Sequence, residues 1–176
     1  MAQVELRRVQ SEQEAAEVAQ IAREIWLEHY VPIVGEAQIE YMLEKFQTPA
    51  AISAQIVDGA EYYLLLADGE AAGYTAVVPD ASAAELFLSK IYVKKSRRGR
   101  GLGQKLLEIA EKIARREGLE KIRLTVNRNN RASVVWYARH GFEYAGKTLQ
   151  EIGVGFVMDD FCFEKTIGPK KEENNG

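Results

Sequence analysis

Residues 98–103 read Arg98-Gly99-Arg100-Gly101-Leu102-Gly103, a basic, glycine-rich turn set between two apolar segments. Upstream, Leu86-Phe87-Leu88-Ser89-Lys90-Ile91-Tyr92-Val93 reads as a strand. Downstream, Leu106, Leu107, Ala110, Ile113 and Ala114 recur at helical spacing from near Gln104 until Gly118 stops the run. Glycines at alternate positions let the backbone approach one anion with several N–H groups. The helix that follows aims its own unpaired N–H groups and positive dipole end at the same point. Five cations fall between Lys94 and Arg100, so the turn suits a multiply phosphorylated ligand.

Three phosphate motifs compete for this turn. A Walker-type loop needs four residues between its glycines and then Gly-Lys-Ser/Thr; Gly103 is followed by Gln104, Lys105 and Leu106, so both spacing and hydroxyl fail. A dinucleotide fingerprint places its third small residue on Gln104 or Leu106, too large for close helix–strand packing. The remaining pattern, Arg/Gln-x-x-Gly-x-Gly/Ala, is met in full by Arg98, Gly101 and Gly103.

A second block follows. Lys121-Ile122-Arg123-Leu124-Thr125-Val126-Asn127 alternates apolar and polar residues as a half-buried strand does. Asn130, Ser133, Tyr137, Gly141 and Phe142 then fill Asn-x-x-Ala/Ser-x-x-x-Tyr-x-x-x-Gly-Phe without a gap. With both motifs in this order, the chain resembles the GCN5-related N-acetyltransferase (GNAT) family from about Leu86 to Phe142. The resemblance implies an α/β (α+β) fold: a mixed, mostly antiparallel sheet of six to seven strands flanked by helices and splayed between strands four and five. It also implies acetyl-CoA as cofactor.

The resemblance assigns the coenzyme to Ile91, Tyr92 and Val93 with Arg98, Gly99, Arg100, Gly101, Leu102, Gly103 and Gln104. Asn130, Ser133 and Trp136 join them, although each has a purely structural reading as turn former, helix-end partner or core. Acetyl transfer needs a held thioester, a polarised carbonyl, a deprotonated amine and a neutralised thiolate. A backbone N–H near Tyr92 or Val93 would face the thioester oxygen. Tyr137 would protonate the thiolate, since a phenol near pKa 10 can donate to it. The base stays open among Glu24, Glu28, Glu85 and a water chain. His29, His140 and Cys162 show no zinc spacing, so no metal is expected.

The 176 residues suffice for one core, read as a single domain over 1–168 with a disordered tail at 169–176. The formal charge of −3 argues against a general nucleic-acid binder and makes the basic turn a local feature. One cysteine, no long apolar run and no signal-peptide core point to a reducing cytoplasm and no membrane partner.

The remaining elements can also be placed. Val4–Val9 reads as a first strand, and Ser11-Glu12-Gln13-Glu14 opens a helix toward Tyr30 that Pro32 should end, with Val18, Ala22, Ile25 and Trp26 inward. Glu36–Phe46 and Pro49–Val57 follow as helices, the latter capped by Thr48. Tyr62–Ala67 and Ala72–Val78 form a hairpin about Asp68-Gly69, and 143–148 and 156–166 are the closing strands.

By resemblance the first two helices and the last hairpin wall the acceptor site. That brings in Trp26, Glu28, His29, Tyr30, Tyr41, Ile152, Gly153 and Phe156. Segments 30–35 and 156–161 also look like a bacterial branch that includes diamine and polyamine acetyltransferases, which favours a small amine acceptor. A protein N terminus or lysine as acceptor, and a non-catalytic acyl-CoA-sensing module, remain the alternatives. The resemblance leaves room for a homodimer through the late strands.

Overall fold

The computed structural model describes residues 3–168, so the expected tail at 169–176 lies outside the described residues. The strands are β1 (Val4–Arg8), β2 (Glu61–Ala67), β3 (Glu70–Asp80), β4 (Glu85–Val93), β5 (Lys121–Asn127), β6 (Glu143–Gly153) and β7 (Phe156–Thr166). The helices are α1 (Glu12–Val34), α2 (Glu36–Phe46), α3 (Pro49–Val57), α4 (Leu102–Arg116) and α5 (Arg131–Arg139). One seven-stranded sheet runs in the order β1-β2-β3-β4-β5-β7-β6. Every neighbouring pair is antiparallel except β4 and β5, which are parallel.

Local chemistry explains most boundaries. Ser11 caps α1 by accepting from Glu14 N–H at 3.1 Å, and the Glu14 carboxylate reaches back to Gln10 N–H at 3.1 Å. Thr48 caps α3 in the same way through Ala51 N–H, with Pro49 at the first helical position. Asp68 and Gly69 both take positive φ, the turn that matches the twist of the β2–β3 hairpin. Gly141, at φ 88°, lets the chain leave α5 for β6.

Two expected boundaries differ. Pro32 does not end α1; the helix continues to Val34 and closes at Gly35, whose N–H bonds Val31 O. Proline's fixed φ is compatible with a helix, and near the C-terminal end it removes a single exposed backbone bond. Strand β6 runs past Thr148 to Gly153, because register with β7 recovers after a bulge at 151–153.

The sheet is covered on both faces. Val18, Ile25, Ile39, Ile52, Tyr62, Leu64 and Tyr74 join α1, α2 and α3 to one face. Leu107, Ala110, Ile113, Ile122, Leu124 and Phe163 join α4 to the other. Strand β2 feeds both sides, Tyr62, Leu64 and Leu66 to one and Leu65 and Ala67 to the other. That double burial is why its sequence is a nearly continuous apolar run.

Strands β4 and β5 pair through only three residues each, Glu85–Phe87 against Lys121–Arg123. Beyond Phe87 they part, while β4 keeps its pairing to β3 as far as Val93. The joint is pinned from the side by Glu85, which accepts from Arg123 Nε at 3.0 Å and lies 3.8 Å from Lys121 Nζ. Leu86 and Ile122, register partners, are fully buried beneath it. Ile122→Ala should therefore lower unfolding free energy by about 2–5 kcal/mol, read as a drop in urea midpoint at unchanged slope.

Candidate active site

Parting the strands leaves one edge of β4 without a β5 partner from Leu88 onward. Strand β4 ends in a single 3₁₀ turn, Lys95–Arg97, and Arg98 folds back so that its Nε donates to Val93 O at 3.1 Å. Gly99 (φ 79°) and Gly101 (φ 74°) are left-handed, and Gly101 starts α4 with no side-chain cap. The first-turn N–H groups of α4 therefore have no intrahelical acceptor and open on the same side as the free strand edge. Gly103 packs against Trp136 so closely that an added Cβ would lie 3.2 Å from its ring.

A cleft of about 500 Å³ occupies this corner. Among the residues expected to hold coenzyme, Ile91, Tyr92, Val93, Arg98, Gly99 and residues 101–104 line it, as do Ser133 and Trp136 of α5. Arg100 and Asn130 are not among its walls. Arg100 is exposed. Asn130 is 3% exposed, with its Oδ1 3.3 Å from His29 Nε2. His29 itself lines this cleft rather than an acceptor site; burial first and the Arg98 charge second lower its pKa. Tyr137, 9% exposed, stands edge-on to Trp136 and Phe142 within the same cleft. Burial pushes its phenol well above the ordinary value, with Tyr30 adding a smaller effect.

A second cleft of about 480 Å³ lies on the α1/α2 face. Tyr30 and Tyr92 line both clefts, and their hydroxyls are 3.1 Å apart, so this phenol pair forms the partition. Trp26 packs edge-on against both rings and lines the second cleft. Tyr41 lines neither; its hydroxyl donates to Ile152 O at 2.7 Å and its ring leans on Phe156. Lys45 Nζ donates to the same carbonyl at 2.6 Å, and Gln38 Nε2 donates to Val157 O at 2.9 Å. Helix α2 thus clasps the β6–β7 hairpin and closes that side of the second cleft.

The acids considered as base are elsewhere. Glu28 is exposed, Glu24 pairs with Lys94 at 3.2 Å, and Glu85 is held by Arg123. None lines either cleft. Asp160 of β7 does line the second cleft and is 5% exposed. Burial, with the Asp159 charge beside it, raises its pKa to about 6. Lys90 of β4 lines the same cleft, and burial lowers its pKa to about 8. Sequence reasoning missed both, although each had a signal: a charge inside an apolar strand, in Leu88-Ser89-Lys90-Ile91 and Met158-Asp159-Asp160-Phe161.

With this geometry in hand, comparison with known proteins is unambiguous at family level. The model of the acetyltransferase (GNAT) family matches residues 16–142, and the chain belongs to that family. It is 27% identical over 161 residues to the spermidine N(1)-acetyltransferase of Thermoplasma acidophilum, covering 89% of this chain and 96% of that protein. It is 31% identical over 164 residues to an uncharacterized N-acetyltransferase of Lactobacillus delbrueckii subsp. lactis, covering 89% and 94%. The crystal structure of the PaiA N-acetyltransferase from T. acidophilum in complex with coenzyme A superposes with a TM-score of 0.78 at 25% identity, over 93% of this chain and 99% of that one.

GNAT enzymes use acetyl-CoA, and the first cleft fits it. Free helix-start amides and two left-handed glycines suit a pyrophosphate, and an open strand edge suits an extended amide-bearing arm. Gly101→Val would force a β-branched residue to φ 74° and crowd that approach. Coenzyme affinity measured by calorimetry should fall at least about tenfold, in line with a strain of 1–3 kcal/mol at such positions.

Proposed function

We propose that the protein acetylates a primary amine of a small molecule by direct attack of that amine on acetyl-CoA in a ternary complex. One observation carries this reading. Two clefts meet at the Tyr30–Tyr92 pair, with a buried phenol on one side and a buried carboxylate on the other.

The coenzyme supplies the thioester-bound acetyl group. The chain's own residues handle position and protons. Arg98, Gly99, residues 101–104 and the free edge of β4 hold the donor, and a β4 amide near Tyr92 polarises its carbonyl. Asp160 takes a proton from the incoming ammonium, for which a carboxylate raised to about 6 is far better suited than one at the usual 3.8. Tyr137 stays protonated because burial disfavours its phenolate; the same burial makes it a weaker acid than a free phenol, and it serves the departing sulfur by a hydrogen bond along which its proton moves as thiolate charge develops. Trp26 and Tyr30 supply an aromatic wall for the aliphatic part of the acceptor.

The small-molecule reading is supported by the clasp of α2 on the last hairpin, which narrows the side of the cleft along which a peptide chain would have to run. A relative bearing the name spermidine N(1)-acetyltransferase agrees with a small amine. A non-catalytic sensor would have no use for a buried acid and base on opposite sides of one partition.

Tyr137→Phe should lower kcat by about 10²-fold or more with little change in coenzyme affinity. Unchanged turnover at saturating substrates would remove Tyr137 from the chemistry. For Asp160 the ionised form must be the active one, so kcat/KM should be lost as pH falls through about 6. Asp160→Asn should abolish that limb. The same variant should gain stability at pH 7 by roughly 1–3 kcal/mol, because a folded-state pKa above the unfolded one means that burying the anion is unfavourable there. The gain should fade as pH drops toward 4, since the wild-type carboxyl then becomes neutral. A kcat/KM–pH profile and urea melts at two pH values check both.

A further inference from the structure

Lys90 is the charge that the reaction above does not use. It lies on the same face of β4 as Tyr92, with Nζ 5.9 Å from the centre of the Trp26 ring. Its ammonium donates to Ser89 Oγ at 2.9 Å and Ser89 O at 3.2 Å. Lys94, Lys121 and Lys165 each contact a carboxylate, whereas Lys90 contacts none among the described residues. An ammonium has three donors and Ser89 takes two, leaving one. Beside it, Trp26 is 2% exposed and its Nε1 is buried without any hydrogen-bond partner.

The indole nitrogen is sealed from the cavity, so Lys90 alone offers a spare donor in the α1/β4 wall, while the β7 wall carries Asp160, an acceptor when ionised. A half-buried lysine with no counter-charge costs stability and would repel a polycation. The lowered pKa still leaves it mostly protonated at pH 7. The cavity is thus polarised from one wall to the other.

We propose that the acceptor is an amine that also bears a carboxylate: the amine lies at Asp160 and the carboxylate docks on Lys90. This rests on the acetyltransferase reading above and narrows its substrate class from amines in general to amino acids.

The test is initial-rate acetylation with the full chain and acetyl-CoA on matched pairs: lysine and cadaverine, ornithine and putrescine, leucine and isopentylamine, with spermidine alongside. The carboxylated member should win by at least about tenfold in kcat/KM, as expected for a charge-assisted contact. Lys90→Met should erase that preference through KM, Lys90→Arg should retain it, and both should bind coenzyme A as the wild type does. Faster turnover of the decarboxylated amines or spermidine by the wild type overturns the proposal but leaves the acetyltransferase reading intact. So does a preference that survives Lys90→Met. Should Lys90→Met fail to fold, the wild-type ranking and Lys90→Arg decide alone. Should no amine be acetylated by protein that binds coenzyme A, the acetyltransferase reading itself fails, and this inference with it.

Discussion

Everything that matters for chemistry follows from two parallel strands that stay together for three residues and then separate. Backbone N–H and C=O groups left unpaired inside a sheet are unfavourable unless something satisfies them. The separation persists because the joint is anchored by the Glu85–Arg123 pair above and by Leu86 and Ile122 below. Helices on both faces stop the gap from closing by collapse, since α4 and α5 occupy one side and α1 and α2 the other. What remains is a preformed slot with hydrogen-bonding edges, suited to a ligand that can take the place of a strand.

The slot has two sides with different electrostatics. On the α4 side, Arg98 and the helix-start amides supply positive potential and Tyr137 is kept neutral by burial. On the α2 side, a carboxylate and an ammonium sit among aromatic and aliphatic walls. The Tyr30–Tyr92 pair between them belongs to a cluster of edge-on and tilted rings continuing through Trp26 and Tyr74, which makes the partition stiff.

Much of the frame was legible because its determinants are local. The Ser11 and Thr48 caps, the Asp68-Gly69 turn and the positive-φ glycines at 99, 101 and 141 are written in short stretches of chain. The seven strands and the parallel β4–β5 pair agree with the fold that the family resemblance implied. Pro32 misled because proline weakens a helix without forbidding one near its end, and tertiary packing of α1 prevailed. The acceptor side was less legible because it is assembled from α1, α2, β4 and β7, with no spacing rule linking them. Glu28 and Tyr41 had the right composition and neighbourhood, yet helix phase turns the first to solvent and hydrogen bonding commits the second to Ile152. Asp160 and Lys90 needed the register of two distant strands to be seen as facing one space.

The clasp between α2 and the last hairpin acts on main-chain carbonyls, those of Ile152 and Val157. Main-chain acceptors are present whatever side chain the hairpin carries. The hairpin beside the second cleft therefore keeps its position when an exposed side chain at its tip such as Val154 changes, provided that Gly153 stays glycine, since a Cβ there would strike the Tyr41 hydroxyl. Side chains at the exposed tip can therefore be exchanged without loosening the hold of α2 on the hairpin.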